Sequence, residues 1–481
     1  MRIAVVAVSL VILLIGIPSK LPAADRLDDL ERALEAQKKT IELLQQEINA
    51  LKQERARQQA LEQEVEGLKR AQRESQQLSR EVEQLKATAK PKFEAGFEKW
   101  QPYIRSTDGS FRLSPVGRIQ VDFRGYEDGA RQLNGSALTD TFLIRRARIG
   151  LAGTFYRYFD FFVEADFGQG QAVLTDGYLD MHYWPELRLR AGQFKIPFSY
   201  EELFSDNNLD FVERSVADSL TPGRDLGAML HGSLFGGAIG YAGGIFNGSG
   251  QNRADTNNSK DLAARLVVLP LKWAGLSEWG TLHLGADLTW GKETPANGTS
   301  QSLQGQTDGK FTFFPSTQTR GDRLRYSGEV AYYTGPFTIY GEYIQSQEER
   351  KGIGTGADLF GRGWYVTTTY VLTGETKVPG QTVVPTRWAM PVGPDRGWGA
   401  WELAARFAQL DFRANDPTVK SNRVNALTLG VNWYLTPNVK WLVNFVQNWF
   451  SNETMTPFSF GNPDNTRTSE WEFLTRLQLW F

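Results

Sequence analysis

The sequence predicts an all-β fold, a 16-stranded antiparallel transmembrane β-barrel, preceded by an α-helical coiled coil. Three observations predict it. From about residue 105 to Phe481, hydrophobicity alternates with a period of two, whereas residues 25–90 follow a period of 3.5. The chain of 481 residues contains no cysteine but has 47 glycines and 14 tryptophans. Rigidity must then come from something other than disulfides, and a closed hydrogen-bonded barrel supplies it.

Residues 1–24 are predicted to be a secretory signal peptide. Arg2 precedes a continuously apolar run over 3–17, and the small residues Ala23 and Ala24 follow. A spanning helix needs about 20 apolar residues, so this run fits a signal sequence better. An uncleaved inner-membrane anchor is the alternative.

Residues 25–90 are predicted to form a periplasmic coiled coil. Apolar residues recur at alternating spacings of three and four, as in Leu34, Ile41, Leu44, Ile48 and Leu51, between charged residues and glutamines. A single solvated helix is the alternative, and the mixture of leucine and isoleucine leaves dimer and trimer open. Residues 91–104, which begin with a proline, are predicted to be a linker.

Residues 105–481 are predicted to be the barrel domain. Sixteen strand-like runs begin with FRLSPVGRIQVDFRGY and end with EWEFLTRLQLWF. Tight turns alternate with long polar loops, which is typical of a barrel in a Gram-negative-type outer membrane. The alternating, apolar final strand with Phe481 at its end is interpreted as the signal that outer-membrane assembly machinery reads.

The parity of each strand predicts which residues line the lumen. Ile149 and Leu151 share one face of their strand, and Arg146 and Arg148 share the other. The charged face must be in contact with water and therefore line the interior of the barrel. Sixteen strands enclose a lumen wide enough for a channel. The predicted inward arginines are Arg112, Arg118, Arg146, Arg148, Arg188, Arg190, Arg265, Arg325, Arg406 and Arg476. Glu164, Asp166 and Asp180 are predicted lumen carboxylates.

Several stretches resemble the phosphate-selective porin O and P family. They include RRARIGLAGTFYRYFDFFVEADFG, LRLRAGQFKIPFSYEEL and GWGAWELAARFAQLDF, in family-like order through most of residues 105–481. The resemblance implies a trimeric, sixteen-stranded, general or anion-preferring porin whose third long loop folds into the lumen. That loop would be residues 197–225. The coiled coil departs from the best-known members.

Selectivity for phosphate is the open functional question. An arginine column suits an oxyanion because the planar guanidinium binds two oxygens at once. The same arginines could instead pair with lumen carboxylates and stiffen the wall, as the 37 basic and 41 acidic residues over 93–481, a net charge of −4, suggest. We therefore favour a passive, weakly selective diffusion pore that leans toward anions. The alternative function is an outer-membrane anchor whose coil tethers the envelope to the cell wall.

Other expectations concern partners and chemistry. We expect a homotrimer in contact with the lipid bilayer and lipopolysaccharide, with peptidoglycan as a candidate partner of the coil, and no nucleic acid. His182, His231 and His283 are the three histidines, and no serine motif accompanies them. Neither metal-ligand spacing nor a phosphate-binding glycine loop occurs in the sequence. We therefore expect no catalytic residue, metal or cofactor.

Overall fold

The computed structural model describes residues 23–88, 93–98, 100–255, 257–293, 301–459 and 467–481. Residues 1–22 of the predicted signal peptide lie outside these described residues. Contacts divide the chain into two compact units, Met1–Lys90 and Pro91–Phe481.

The described residues of the first unit form a helix, α1, over Ala23–Thr88. It contains no proline and a single glycine, Gly67, so nothing in it interrupts the backbone hydrogen bonds. The predicted seam is solvated in the single chain, with Leu34 56% and Ile41 55% exposed. Among the described residues there is no helix both long enough and apolar enough to cross a membrane.

The second unit is a closed antiparallel barrel of sixteen strands, as predicted. The last strand pairs with the first, with Arg476 opposite Asp122, so neither strand leaves an open edge. The barrel strands are β3 Phe111–Tyr126, β4 Thr141–Phe155, β5 Phe159–Asp166, β6 Val173–Trp184, β7 Leu187–Lys195, β8 Arg224–Leu234, β9 Ile239–Phe246, β10 Asp261–Val268, β11 Thr281–Glu293, β14 Gly321–Thr334, β15 Phe337–Glu348, β16 Leu359–Val371, β17 Ala400–Ala414, β18 Asn422–Thr436, β19 Val439–Phe450 and β20 Ser469–Trp480.

Four further strands lie outside the sixteen of the closed barrel, and two of them, β1 and β2, join its sheet through the pairing of β2 with β3. Within the segment expected to be a linker, β1 Phe93–Glu98 pairs with β2 Gln101–Ser106. Phe93 and Phe97 alternate with glutamates there, so the segment already has the period of a strand. The other pair, β12 Gln301–Gln306 and β13 Thr312–Thr319, forms a hairpin between β11 and β14.

The two ends of the barrel differ in their connections. At one end, tight turns such as 156–158 join the strands, and long loops join them at the other end. Two connections depart from the predicted pattern: residues 269–280, between β10 and β11, and residues 372–399, between β16 and β17, are long and lie at the end with short turns. We call residues 372–399 the turn-side segment.

The outer face of the barrel is apolar, because strand side chains alternate between the two faces. Ile149 is 60% exposed and Leu151 is 45% exposed, whereas Arg146 and Arg148 on the same strand are buried inside. Six exposed or half-exposed tryptophans lie near strand ends, as in the aromatic girdles of outer-membrane barrels. They are Trp184, Trp290, Trp433, Trp441, Trp449 and Trp471.

Phe481 completes the closure of the barrel. Its backbone N–H donates to the carbonyl of Gly117 at 3.0 Å, and the Gly117 N–H donates to the Phe481 carbonyl at 3.0 Å. The phenyl ring covers Gly117 so closely that a Cβ there would lie 2.5 Å from a ring carbon. Phe481 therefore packs against the first barrel strand, and its role in assembly stays a prediction.

Candidate functional site

A long loop between β7 and β8, residues 196–223, folds into the lumen. We call it the inner loop. Phe198, Phe211 and Val212 are at most 1% exposed. The Val212 N–H donates to Oδ1 of Asn444 on β19 at 2.7 Å, far from the strands that carry the loop. The loop therefore crosses the lumen to the opposite wall.

Asp206 of the inner loop faces four arginines. Its carboxylate oxygens lie 2.7 Å from Arg214, 2.9 Å from Arg148, 3.1 Å from Arg146 and 3.8 Å from Arg118. Burial by itself raises the pKa of Asp206, but the guanidinium groups of Arg146, Arg214 and Arg148 hold that pKa well below its usual range. Asp206 is therefore ionised and lies among the arginines that were predicted to line the lumen.

Glu213 of the same loop is likewise surrounded by basic residues inside the lumen. It lies 2.6 Å from Arg124, 2.9 Å from Arg145, 3.5 Å from Lys310 and 3.6 Å from Arg476. Burial by itself raises the pKa of Glu213, and the surrounding cations lower it well below the usual range. The acidic residues of the loop thus hold places that a soluble anion would otherwise take.

The hairpin formed by β12 and β13 also enters the lumen. Asp308 at its tip lies 2.8 Å from Nη2 of Arg406, and the Gly309 N–H donates to Glu472 at 2.7 Å. Phe314 stacks on Phe412 of β17 with ring centroids 4.2 Å apart. The hairpin and the inner loop therefore enclose an apolar cluster against the later strands. Strand parity alone predicted a water-filled interior, but this half of the interior is packed with apolar side chains.

The turn-side segment contributes a buried lysine. Nζ of Lys377 lies 2.5 Å from Asp210 of the inner loop and 2.6 Å from Glu402 of β17. Lys377 is 5% exposed. A connection at the short-turn end of the barrel thus holds the inner loop through a buried ion pair.

Each of the ten arginines predicted to face the lumen lies within 4.0 Å of a carboxylate. Arg118, Arg146, Arg148, Arg406 and Arg476 pair with acidic residues of the inner loop. The other five pair with residues outside that loop: Arg112 with Glu98, Arg188 and Arg190 with Asp180, Arg265 with Asp287 and Glu329, and Arg325 with Glu348.

The three predicted lumen carboxylates belong to the same network. Glu164 lies 2.7 Å from Arg118 and 3.3 Å from Arg148, and Asp166 lies 2.7 Å from Arg148. Asp180 accepts from both Arg188 and Arg190 and from Nε2 of His231. All three carboxylates therefore take part in the ion pairs of the predicted arginines.

Several basic residues of the lumen were missed by parity. Arg145 has outward parity, but a β-bulge opposite Gln120 and Val121 shifts the register and turns it toward Glu213. Arg214 and Lys377 lie on connections, where no strand parity exists. Arg224 begins β8 and pairs with Asp176 at 2.9 Å. The alternation of apolar and polar residues in a single sequence does not show where a bulge occurs.

A cavity of about 530 Å³ remains between the inner loop and the early strands β3–β10. A second cavity of about 350 Å³ adjoins it toward the short-turn end and shares the lining residues Phe162, Tyr178 and Arg190. A third, of about 430 Å³, lies at the long-loop end beside Arg325. The first two cavities share lining residues and lie along one side of the lumen, and we call this space the passage.

The lining of the 530 Å³ cavity is positive. Its basic residues are Arg118, Arg148, Arg190, Lys195, Arg224 and Arg265, and its acidic residues are Glu164, Asp176 and Asp206. Six positive charges minus three negative charges leave a net charge of +3. The passage thus differs in sign from the chain as a whole, whose formal net charge is −2.

Comparisons with known proteins agree with this architecture. A family model described as "Phosphate-selective porin O and P" matches residues 116–467. Porin O of Pseudomonas aeruginosa is 23% identical over 380 residues, which cover 70% of this chain and 83% of that protein.

Two solved structures of a Vibrio cholerae outer membrane protein are similar in fold. OmpT with loop L8 deleted matches with a TM-score of 0.51 at 10% identity, over 77% of this chain and 100% of that chain. OmpT folded in vitro matches with a TM-score of 0.50 at 11% identity, over 77% of this chain and 98% of that chain. At these identities the likeness shows the barrel fold.

Proposed function

Because the chain belongs to the phosphate-selective porin O and P family, we propose that its passage conducts small hydrophilic solutes by diffusion and prefers anions. The observation that carries the preference for anions is the net charge of +3 around the 530 Å³ cavity. A cavity lined by one sign of charge raises the local concentration of ions of the opposite sign. The family and the barrel are those of an outer-membrane channel rather than an enzyme.

The preference for phosphate over other anions is expected to be weak. Tight binding of an oxyanion needs guanidinium groups whose donors are available. Here the inner loop already supplies carboxylates to Arg118, Arg146 and Arg148 through Asp206. Phosphate would have to compete with an ion pair that is part of the protein.

Recording from the refolded protein in planar bilayers tests both statements. In a KCl gradient we expect a reversal potential whose sign shows that chloride permeates more readily than potassium. Added phosphate should block the chloride current only weakly. Arg224→Gln lowers the net charge of the cavity by one, so its reversal potential should move toward zero. The exposed Arg413→Ala, with a side chain 56% exposed, is the matched control and should leave the reversal potential unchanged. Cation preference in the parent protein would refute the anion preference, and strong block at sub-millimolar phosphate would refute weak phosphate binding.

We also propose that the chain assembles as a homotrimer in the outer membrane, with α1 in the periplasm associating with α1 of the other copies. The solvated apolar seam supports this assembly, since Leu44 and Ile48 are 38% and 50% exposed in the single chain. Burial of each such side chain against a second helix contributes about 1.5–3 kcal/mol. The position of β3 supports the proposed compartment, because β3 begins at the barrel end with short turns and that end faces the periplasm in outer-membrane barrels.

Single cysteines test the association of α1, because the natural chain contains none. A disulfide between copies should form in high yield in Leu44→Cys, which lies on the seam, when the full chain is oxidised in detergent. Gln46→Cys, two residues away and off the seam, should form little. Equal yields at the two positions would show that α1 does not pair through its apolar seam.

A further inference from the structure

Three acidic residues meet inside the wall on adjacent strands. Asp287 lies on β11, Glu329 on β14 and Glu342 on β15, and one oxygen from each lies within 4.8 Å of the others. All three are at most 5% exposed. Glu329 and Glu342 are direct cross-strand partners. Like charges in that position destabilise a sheet, so something must compensate them.

The protein supplies only part of that compensation. Arg265 lies 2.7 Å from Asp287 and also pairs with Glu329, and Nε2 of His283 lies 2.8 Å from Oε1 of Glu329. Glu342 receives donors from neutral groups: Ser327 at 2.7 Å, Ser199 at 3.0 Å, Tyr365 at 3.1 Å and the Tyr200 N–H at 3.2 Å. Three carboxylates thus face one permanent positive charge.

One carboxylate oxygen is left over. Oε2 of Glu329 accepts no hydrogen bond from any residue that the structure describes, although the Glu329 side chain is 0% exposed. A buried carboxylate oxygen without a hydrogen-bond donor requires an explanation, and a bound cation is one. Because Oε1 is engaged by Arg265 and His283, Oε2 is the atom that remains for that ligand.

We propose that Asp287, Glu329 and Glu342 bind a divalent cation of the calcium class. Hard cations take carboxylate and hydroxyl oxygens, and Ser199 and Ser327 supply hydroxyls beside Glu342. Calcium, with bonds of about 2.3–2.6 Å, accommodates ligand oxygens up to about 5 Å apart, whereas magnesium limits them to about 4.2 Å. The three oxygens lie within 4.8 Å of one another, a range that calcium accommodates throughout, and Arg265 connects the site with the 530 Å³ cavity.

The site has a structural consequence for the inner loop. Asp287 accepts from the Ser199 N–H at 2.9 Å, and Glu342 accepts from Ser199 Oγ and the Tyr200 N–H. Ser199 has a backbone φ of 73°, which is unfavourable for a residue with a side chain. A cation that neutralises the acidic residues would hold the start of the loop in this strained conformation.

Binding of Ca²⁺ to the refolded full chain tests the proposal. The protein is prepared in neutral detergent without lipopolysaccharide and stripped with EDTA. Calorimetry should find Ca²⁺ binding that Glu329→Gln weakens at least tenfold. Tb³⁺ bound there should emit on excitation of Tyr200 and Tyr365, and Ca²⁺ should displace it. Glu293→Gln is the matched control, because Glu293 is a buried carboxylate on β11 that pairs with Arg323; it should bind Ca²⁺ like the parent.

A second readout covers variants that fold poorly. The temperature at which the barrel changes its mobility on a denaturing gel should rise with Ca²⁺ in the parent and stay constant in Glu342→Gln. In EDTA, Glu342→Gln should be the more stable of the two, because it removes the cross-strand repulsion. Equal Ca²⁺ affinity in the parent and Glu329→Gln would overturn the proposal, as would an absence of Ca²⁺ binding in the parent. Tighter binding of Mg²⁺ than of Ca²⁺ would overturn the assignment to calcium.

Discussion

Replacing Arg406 by alanine should open the lumen and destabilise the barrel. The Arg406 side chain is 1% exposed and lies 3.2 Å from Glu201 of the inner loop and 2.8 Å from Asp308 of the hairpin. It also donates to the backbone carbonyl of Glu213 and stacks over Phe211 at 4.4 Å. One side chain on β17 therefore holds both elements that fill this half of the lumen.

The expected loss of stability for Arg406→Ala is about 3–5 kcal/mol, because removal of one partner leaves buried carboxylates without compensation. In bilayers we expect the single-channel conductance to rise at least twofold, with added noise from the released inner loop. Arg406→Lys should be intermediate, since a lysine keeps the charge but cannot bridge two acidic residues with a planar fork.

Arg413→Ala is the control for this experiment, because Arg413 lies on the same strand with an exposed side chain. It should change neither the conductance nor the temperature at which the barrel unfolds on a denaturing gel. If Arg406→Ala behaved like this control, the inner loop and the hairpin would not be held in place by Arg406.

Replacing Asp206 by asparagine should convert a weakly selective passage into one that binds phosphate. The change removes the carboxylate shared by Arg118, Arg146, Arg148 and Arg214 and raises the net charge of the cavity from +3 to +4. A unit charge about 4 Å from a passing ion is worth about 1 kcal/mol in water. Permeability to anions should therefore rise about fivefold and permeability to cations should fall about fivefold, so their ratio should rise roughly 25-fold.

Block by phosphate separates this effect from a simple change in charge. Asp206→Asn leaves Arg146 without its carboxylate partner beside Arg148, and two guanidinium groups together suit an oxyanion. Phosphate should then block the chloride current at a concentration at least tenfold lower than in the parent protein.

Asp176→Asn is the matched comparison, because Asp176 lines the same cavity and pairs with a single arginine, Arg224. It should shift the reversal potential in the same direction without increasing the block by phosphate. Equal block in the two variants would show that the cluster of arginines around Asp206 has no special role.

Much of the fold could be predicted because strand parity is a local property. The first run in the sequence, FRLSPVGRIQVDFRGY, coincides with β3 Phe111–Tyr126. Five of the ten predicted arginines, Arg146, Arg148, Arg325, Arg406 and Arg476, are buried. In a membrane barrel the lipid imposes an apolar residue at every second position. The alternation therefore reports the number of strands and their faces without knowledge of their neighbours.

The partners of those arginines were decided by the tertiary structure. Asp206 and Glu213 come from a loop without periodicity, and nothing in the sequence shows that they meet Arg148 on β4 and Arg476 on β20. Lys377 reaches the same interior from a connection at the opposite end of the barrel. Charge inside a lumen depends on which loops enter it, and loop entry depends on contacts between residues distant in sequence.

The sequence by itself determined a helix with an apolar leucine seam, followed by a closed barrel. It also determined that the outer face of this barrel is apolar and that its charged side chains face the lumen. The three-dimensional arrangement alone decided that one half of the lumen is packed with Phe314, Phe412 and the inner loop, while the other half keeps a positive passage. It also brought Asp287, Glu329 and Glu342 together from three strands. The physical reason is that alternation constrains each strand separately, whereas a site forms only where the closed sheet and the folded-in loops bring distant side chains into contact.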